Sequence, residues 1–473
     1  MHTELAILGG GPGGYAAAFL AADLGMQATI IDQSPSLGGT CLLRGCIPSK
    51  ALLHAARVIS ESREMADWGI DFGQPKIDID ALRARKDKII STLTGGLAAL
   101  AKKRNVNILR ARGVFEHSTR LRLEAEDGVS LEYNALTFDH MIVAAGSRPA
   151  IPGIFQLSDR VMDSSGALQL RDIPETLLIV GGGYIGLEMG TVYAQLGSKV
   201  TVVEMLDDLL PGADRDLVRP LKKRLMNLFE NIHLKTKVAS LTDTGSAVEA
   251  ALEGEAFTGT QTFDRALISI GRRPNSDRLG LDTTKVQLDE QGFIQVDAQM
   301  RTADKRICAI GDIVGNPMLA HKASREAKVA VEVIKGEPSA FSPQAIPAVI
   351  FTDPEIAWAG LTEEQAKIDG IKYEVAAYPW AASGRAQALG RTEGLTKLLI
   401  EPDSQRILGA GLVGVGAGEL IGEAVLAIEM GCEVRDIAES IHPHPTMSET
   451  YPNASEVFFG LATEIYKPKR KKK

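Results

Sequence analysis

The stretch "ELAILGGGPGGYAAAFLAADLGMQATIIDQ", Glu4–Gln33, decides how this chain is read. A short apolar run, a glycine cluster, an alanine-rich segment and a second apolar run ending in an acid predict strand, turn, helix and strand in succession. Gly9, Gly11 and Gly14 occupy the three spaced glycine positions of the turn. Glycine is needed there because the backbone must bend tightly, approach a pyrophosphate with no Cβ in the way, and let the helix pack close on the strand. The helix N-terminus then faces the phosphates. Asp32 closes the second strand where a carboxylate accepts hydrogen bonds from ribose hydroxyls.

One such fingerprint also fits an ordinary tight turn, but this one recurs. In "TLLIVGGGYIGLEMGTVYAQLGSKVTVVEM", Thr176–Met205, the turn holds Gly181, Gly183 and Gly186, and Glu204 ends the second strand. Asp32 follows Gly9 at the spacing at which Glu204 follows Gly181. An internal duplication implies two dinucleotide sites. Glu204 favours NAD over NADP, because a carboxylate welcomes a free 2'-hydroxyl and repels a 2'-phosphate. The "MLDDLL" that follows offers no arginine for that phosphate.

At 473 residues the chain exceeds what one hydrophobic core supports, so several domains are expected. Only four cysteines, and an opening "MHTELAILGGG" without a charged n-region or cleavage signal, point to a reducing, cytoplasmic compartment. Glycines and charges interrupt every apolar run before it reaches membrane-spanning length, so no membrane is expected. The net charge of −8 argues against nucleic acid as the main ligand. The basic end "KPKRKKK", Lys467–Lys473, reads as a solvated, disordered tail.

Two of the four cysteines stand in "GGTCLLRGCIPSK", Gly38–Lys50. A zinc site fails for want of a second cysteine pair or a histidine cluster, so no metal is expected. A structural staple closing so short a loop would contribute little, and a reducing compartment would open it. In a regular helix the separation of Cys41 and Cys46 puts their Cα atoms roughly 8 to 9 Å apart, too far for a disulfide, although Gly45 permits a distortion. The run "PSKALLHAARVI" predicts a helix whose N-terminus stabilises a Cys46 thiolate. A reversible dithiol–disulfide couple beside two dinucleotides is the leading reading.

With these residues in view, the chain resembles the flavin-dependent pyridine nucleotide-disulfide oxidoreductases nearly end to end, and within them the branch that oxidises dihydrolipoamide. Its "GGTC....GCIPSK" is similar to that branch's redox motif, whereas glutathione reductases usually end in valine, proline and two lysines. The resemblance implies that Cys41 is the interchange thiol and Cys46 the charge-transfer thiol beside the flavin. It makes Lys50 and Glu188 an ion pair near flavin N5 and the nicotinamide. "MIVAAGSRP" and "ALISIGRRPNS" look like two glycine-ended strands at domain junctions, with Gly146 toward FAD and Gly271 toward NAD. "ICAIGDIVGNPMLAHKA" looks like the second flavin-binding stretch, with Asp312 at the ribityl chain and Ala320 beside it.

The C-terminal "HPHPTMSET", His442–Thr450, supplies the acid–base group that a dithiol substrate requires. His444 is the candidate base, and Glu449 is placed to hydrogen-bond its imidazole and hold its tautomer. The family carries the same spacing, and His442 reads as structural. In the family this histidine reaches the cysteines of the opposite subunit, which implies a homodimer with shared active sites. Leu43 and Arg44 depart from the commoner asparagine and valine; Arg44 either shifts the thiol potential by its charge or points to solvent. Tyr184 stands where glutathione reductases use a tyrosine to cover the nicotinamide pocket, and a packed aromatic is the other reading. Cys308 and Cys432 read as small buried hydrophobes.

The expected architecture is α/β: a Rossmann-like FAD-binding domain over 1–149, a Rossmann-like NAD-binding domain over 150–270, a central segment over 271–345 that completes the FAD site, and a C-terminal α+β dimerisation domain over 346–473. The proline-rich "KGEPSAFSPQAIPAVIFTDPEIA", Lys335–Ala357, reads as the connector into the last of these. The implied activity is oxidation of dihydrolipoyl groups, on the acyltransferase of a 2-oxo acid dehydrogenase complex or on a glycine-cleavage carrier protein, with reduction of NAD. The alternatives are an NADPH-dependent disulfide or mercuric reductase, opposed by Glu204 and "IPSK", and a binding protein that keeps FAD as a stabiliser.

Overall fold

The glycine clusters and aliphatic runs quoted above organise the computed structural model, which describes residues 1–125 and 130–466; the basic tail at 467–473 lies outside them. The chain begins with β1 (His2–Leu8), α1 (Pro12–Asp23), β2 (Ala28–Asp32), α2 (Gly39–Arg44), α3 (Cys46–Glu64) and α4 (Ile79–Lys103). Next come β3 (Asn107–Arg110), β4 (Arg112–His117), β5 (Arg120–Glu124), β6 (Ala135–Val143) and β7 (Ser147–Pro149). A second unit runs through β8 (Val161–Met162), α5 (Ser164–Leu168), β9 (Thr176–Val180), α6 (Tyr184–Leu196), β10 (Lys199–Val203), α7 (Arg215–Leu228) and β11 (Asn231–His233). It closes with β12 (Thr236–Asp243), β13 (Val248–Gly254), β14 (Gly259–Phe263), β15 (Arg265–Ile268) and β16 (Arg272–Pro274).

Then β17 (Ile307–Ala309) and α8 (Ala320–Ile334) precede a last unit of β18 (Ala348–Ile350), β19 (Glu355–Gly360), α9 (Glu363–Asp369), β20 (Glu374–Pro379) and α10 (Gly384–Leu389). It ends with β21 (Leu395–Ile400), β22 (Ile407–Gly414), α11 (Ala417–Glu429), α12 (Val434–Glu439) and α13 (Thr450–Phe459).

The two glycine fingerprints sit in two sheets of matching order. In the first, β3-β2-β1-β6 are parallel, the hairpin β4-β5 extends β6, and β17 pairs with the end of β6. In the second, β11-β10-β9-β15-β8 are all parallel. Both strands that lead into a fingerprint, β1 and β9, are therefore central, which explains their unbroken apolar sequences. Residues 307–309 and α8, late in the chain, return to the first unit, where α8 packs on α1. The last unit is an antiparallel sheet, β18-β19-β22-β21-β20, covered by helices. Its first strand, β18, already lies inside the proline-rich stretch.

One hydrophobic core fixes α3 against the rest of the molecule. Leu52, Leu53 and Ala56 of α3 are buried together with Leu187 and Val192 of α6, Leu217 and Leu221 of α7, and Ile350 and Ile356 of the last unit. Each such leucine contributes about 1.5–3 kcal/mol relative to exposure, so the helix that starts at Cys46 is anchored by all three units.

Two ionic clusters add to this. Lys397 of β21 is 0% exposed, and its ammonium lies 2.8 Å from Asp214, 2.7 Å from Asp216 and 2.7 Å from Glu363. This triad is the only potential metal-ligand cluster of its kind among the described residues, and the lysine cation fills it. Arg224 of α7 pairs with Asp353 at 2.7 Å and with Glu64 of α3, while Arg391 pairs with the same Asp353. Both ends of α7 are thus tied to the last unit.

Candidate active site

The two fingerprint turns are built alike down to their hydrogen bonds. Gly9 and Gly181 adopt φ of +113° and +105°. A Cβ on Gly14 would stand 1.8 Å from the Gly9 oxygen, and one on Gly186 2.4 Å from the Gly181 oxygen, so both positions need hydrogen for the helix to approach. At Gly11 a Cβ would meet only Gly39 Cα, at 3.8 Å, and at Gly183 nothing within 4 Å. The bare backbone at these two positions therefore leaves open space rather than avoiding a neighbour, as a phosphate cradle requires.

Asp32 accepts from Gly10 N at 2.5 Å and from Ser34 N at 2.7 Å; Glu204 accepts from Gly182 N at 2.6 Å and from Leu206 N at 2.8 Å. Each carboxylate ties its glycine turn to the next loop, and each oxygen keeps a lone pair for a ribose hydroxyl.

The cysteines do not share a helix. Cys41 belongs to α2, and Gly45, at φ −150° and ψ −116°, breaks the path before α3 starts at Cys46. A Cβ at Gly45 would stand 2.8 Å from the Thr40 oxygen. This break removes the separation that a regular helix would impose. Both thiols are free, and the two lie in one cleft.

The neighbouring Cys41 thiol and the Lys50 ammonium outweigh burial and bring Cys46 down to about 7, while the neighbouring Cys46 and burial push Cys41 up. Cys46 is therefore the more acidic thiol of the pair and ionises first. It opens a 19-residue helix whose N-terminus favours negative charge.

Lys50, one turn further along α3, reaches Glu188 of α6 with Nζ 2.9 Å from Oε2 and 3.1 Å from Oε1. Glu188 is buried. Its Oε1 also accepts from Phe351 N at 3.0 Å, and the Lys50 ammonium stands 4.3 Å above the Phe351 ring.

A cleft of about 770 Å³ gathers these groups. Gly9, Gly11, Asp32, Cys41, Cys46, Lys50, Gly146, Asp312 and Ala320 line it, and Tyr184 and Glu188 enter from α6. Gly14 lies behind the turn. Gly181, Gly183, Gly186, Glu204 and Gly271 do not line this cleft; the second fingerprint reaches it only through the first turns of α6.

Asp312 accepts from Ser147 Oγ, which in turn accepts from Arg272 Nε at 2.8 Å. Ser147 and Arg272 follow the glycines of "AAGSRP" and "SIGRRP", so the signal lay one residue beyond those singled out. Nothing in the local sequence marks Phe351.

Arg44 is exposed at the rim and Leu43 is half-buried. Tyr184 is 44% exposed on the cleft wall, and burial of its hydroxyl pushes its pKa up to about 12. Cys308 is buried, its thiol pushed up to about 12, as a small core residue should be. Cys432 departs from the expectation in part: just after α11 it is half-buried, packed against the core of the last unit.

His444 and Glu449 meet as the spacing implies, with Nδ1 2.8 Å from Oε1, and Glu449 Oε2 accepts from Thr446 N at 2.7 Å. Partial burial pushes the Glu449 carboxyl up, but these two hydrogen bonds prevail and hold it below the usual range. The chain does not bring this pair to its own cysteines, since the His444 side chain is 78% exposed and lies outside the cleft. His442 has both ring nitrogens engaged, with Glu423 at 2.7 Å and the Ser440 carbonyl at 2.9 Å, which is a packing role.

The sequence profile of the pyridine nucleotide-disulphide oxidoreductases matches residues 3–327, and that of their dimerisation domain matches 346–455. The chain belongs to the pyridine nucleotide-disulphide oxidoreductase family. Within this family it is 48% identical over 475 residues to a dihydrolipoyl dehydrogenase from Vibrio cholerae, covering 100% of this chain and 99% of that one. It is 47% identical to another from Haemophilus influenzae, covering 100% and 98%.

Among solved structures, LpdA from Mycobacterium tuberculosis superposes with a TM-score of 0.88 at 28% identity, over 96% of this chain and 99% of that one. The HOCl-induced flavoprotein disulfide reductase RclA from Escherichia coli follows at 0.84 and 26%, over 96% and 99%. These family members share the two-unit fold and its third, sheet-based unit. Among the described residues no helix is long and apolar enough to cross a membrane.

Proposed function

We propose that this chain oxidises protein-bound dihydrolipoyl groups to the lipoyl disulfide and reduces NAD to NADH. The observation that carries the proposal is the position of Cys41 and Cys46: in one cleft, between the first glycine fingerprint and the helix that leaves the second.

Gly9, Gly11, Gly14, Asp32, Lys50, Gly146, Asp312 and Ala320 would hold FAD, and Gly181, Gly183, Gly186, Glu204 and Gly271 would hold NAD. The bare backbone at Gly11 and Gly183 and the spare lone pairs of Asp32 and Glu204 fit these groups. Bound FAD supplies a two-electron relay between the dithiol and the nicotinamide.

The chain's own residues handle sulfur and protons. A substrate thiolate attacks Cys41 Sγ of the Cys41–Cys46 disulfide, forming a mixed disulfide and releasing Cys46 as thiolate. Cys46 is the better leaving group because its pKa is the lower of the two. The second substrate thiol then attacks its own mixed-disulfide sulfur, expels Cys41 and closes the lipoyl ring. The partner subunit's His444, held by the partner's Glu449, takes the proton. An exposed His444 on the dimerisation domain supports this exchange across a twofold interface.

The electron donors would be the lipoyl-bearing acyltransferase of a 2-oxo acid dehydrogenase complex or a glycine-cleavage carrier protein, in a reducing, cytoplasmic compartment. The buried Glu204 favours NAD. NADH formation from dihydrolipoamide and NAD tests the reading. Reduction of disulfides or mercuric ion by NADPH, with no NADH formed from dihydrolipoamide, would overturn it.

A further inference from the structure

Lys50 borders two spaces. On one side is the large cleft with Cys46; on the other is a cavity of about 300 Å³ lined by Phe351 and by the carboxylates of Asp353, Glu355 and Glu419. A lysine has a long flexible stem, and although Asp353 is held by Arg224 and Arg391 and Glu355 by Arg57, the Glu419 carboxylate offers it an alternative partner there. It nonetheless stands 2.9 Å from Glu188, with its ammonium 4.3 Å over the Phe351 ring. The Phe351 backbone N–H fixes the other Glu188 oxygen at 3.0 Å.

We propose that Phe351 is a positioning residue, whose aromatic face holds the Lys50 ammonium against Glu188 and toward Cys46 rather than in the second cavity. The last unit thereby sets the charge that the redox thiol feels. This rests on the reading of Cys41 and Cys46 as the redox couple. Cys46 is faced by Cys41 from α2, by Lys50 from its own helix, and by Glu188 and Tyr184 from α6. Of these only Lys50 brings a positive charge, and it lowers the Cys46 pKa while Glu188 raises it.

The test is the pH midpoint of Cys46 ionisation in the anaerobic, two-electron-reduced holoenzyme, read from the long-wavelength thiolate band and from ultraviolet thiolate absorbance. Phe351→Leu removes the ring and keeps the backbone N–H, Phe351→Tyr keeps both, and Lys50→Met removes the charge. Phe351→Tyr is expected to match the wild type. Phe351→Leu should raise the midpoint by about 0.5 unit or more, and Lys50→Met by at least as much, since losing a nearby cation raises a thiol pKa.

A Phe351→Leu midpoint equal to the wild type overturns the proposal, as does an unshifted Lys50→Met midpoint. If Phe351→Leu does not fold, Phe351→Met, long but without a ring, is read by the same criterion. Failure of the wild type to oxidise dihydrolipoamide would be a separate result, because the order of midpoints does not depend on the substrate.

Discussion

His444 Nδ1 lies 2.8 Å from Glu449 Oε1, and the imidazole is exposed outside the cleft that holds the cysteines of its own chain. On the proposed reading a base so placed would serve the cysteines of the partner subunit. Replacing His444 with glutamine should lower dihydrolipoamide turnover by about 10²–10⁴-fold, the usual worth of a positioned acid–base group. Glu449→Gln should fall between that variant and the wild type. Mixing His444→Gln with Cys46→Ser subunits should restore one working site per mixed dimer, and no recovery in steady-state assays would exclude a site shared between subunits.

The thiolate state of Cys46 predicts a pH dependence. Its pKa is lowered to about 7, so the thiolate is present above that pH and is lost as pH falls through it. In the two-electron-reduced enzyme the long-wavelength band should therefore fade on acidification with a midpoint near 7. A band that holds its intensity well into the acid range, or one absent at neutral pH, would contradict the assignment of Cys46.

Glu204 holds its glycine turn through Gly182 N and Leu206 N, and on the proposed reading it also accepts from the NAD ribose. Glu204→Gln keeps the shape and removes the charge. KM for NAD should rise roughly tenfold, the worth of one charge-assisted hydrogen bond, and discrimination against NADP should narrow. Steady-state kinetics with both nucleotides measure the two effects, and unchanged selectivity would remove Glu204 from the specificity argument.

The buried Lys397 ammonium pairs with the buried Asp214 and with Asp216 and Glu363, which are part-exposed. Lys397→Met leaves those three carboxylates close together without their shared cation. Unfolding free energy should fall by about 3–5 kcal/mol, the cost of breaking a buried pair from one side. Denaturant titration reads this, and a loss below 1 kcal/mol would mean that water reaches the cluster.

The sequence by itself determined what is short-ranged. Each glycine fingerprint, its strand on either side and the acid closing it are dictated by one tight turn, so Gly9, Gly11, Gly14 and Asp32, and their counterparts from Gly181 to Glu204, were legible from spacing alone. So were the break at Gly45 and the helix that starts at Cys46, because both are local features. Lys50 and Glu188 were named only through family resemblance, since a contact across 138 positions leaves no local periodicity.

Tertiary packing alone decided the rest. It set Ser147 and Arg272 behind Asp312, the Phe351 ring under Lys50, the lysine cation of Lys397 among three acids, and His444 out of reach of its own cysteines. Each of these depends on where one unit's surface meets another's, which side-chain volumes and buried charges settle only when the units are packed together.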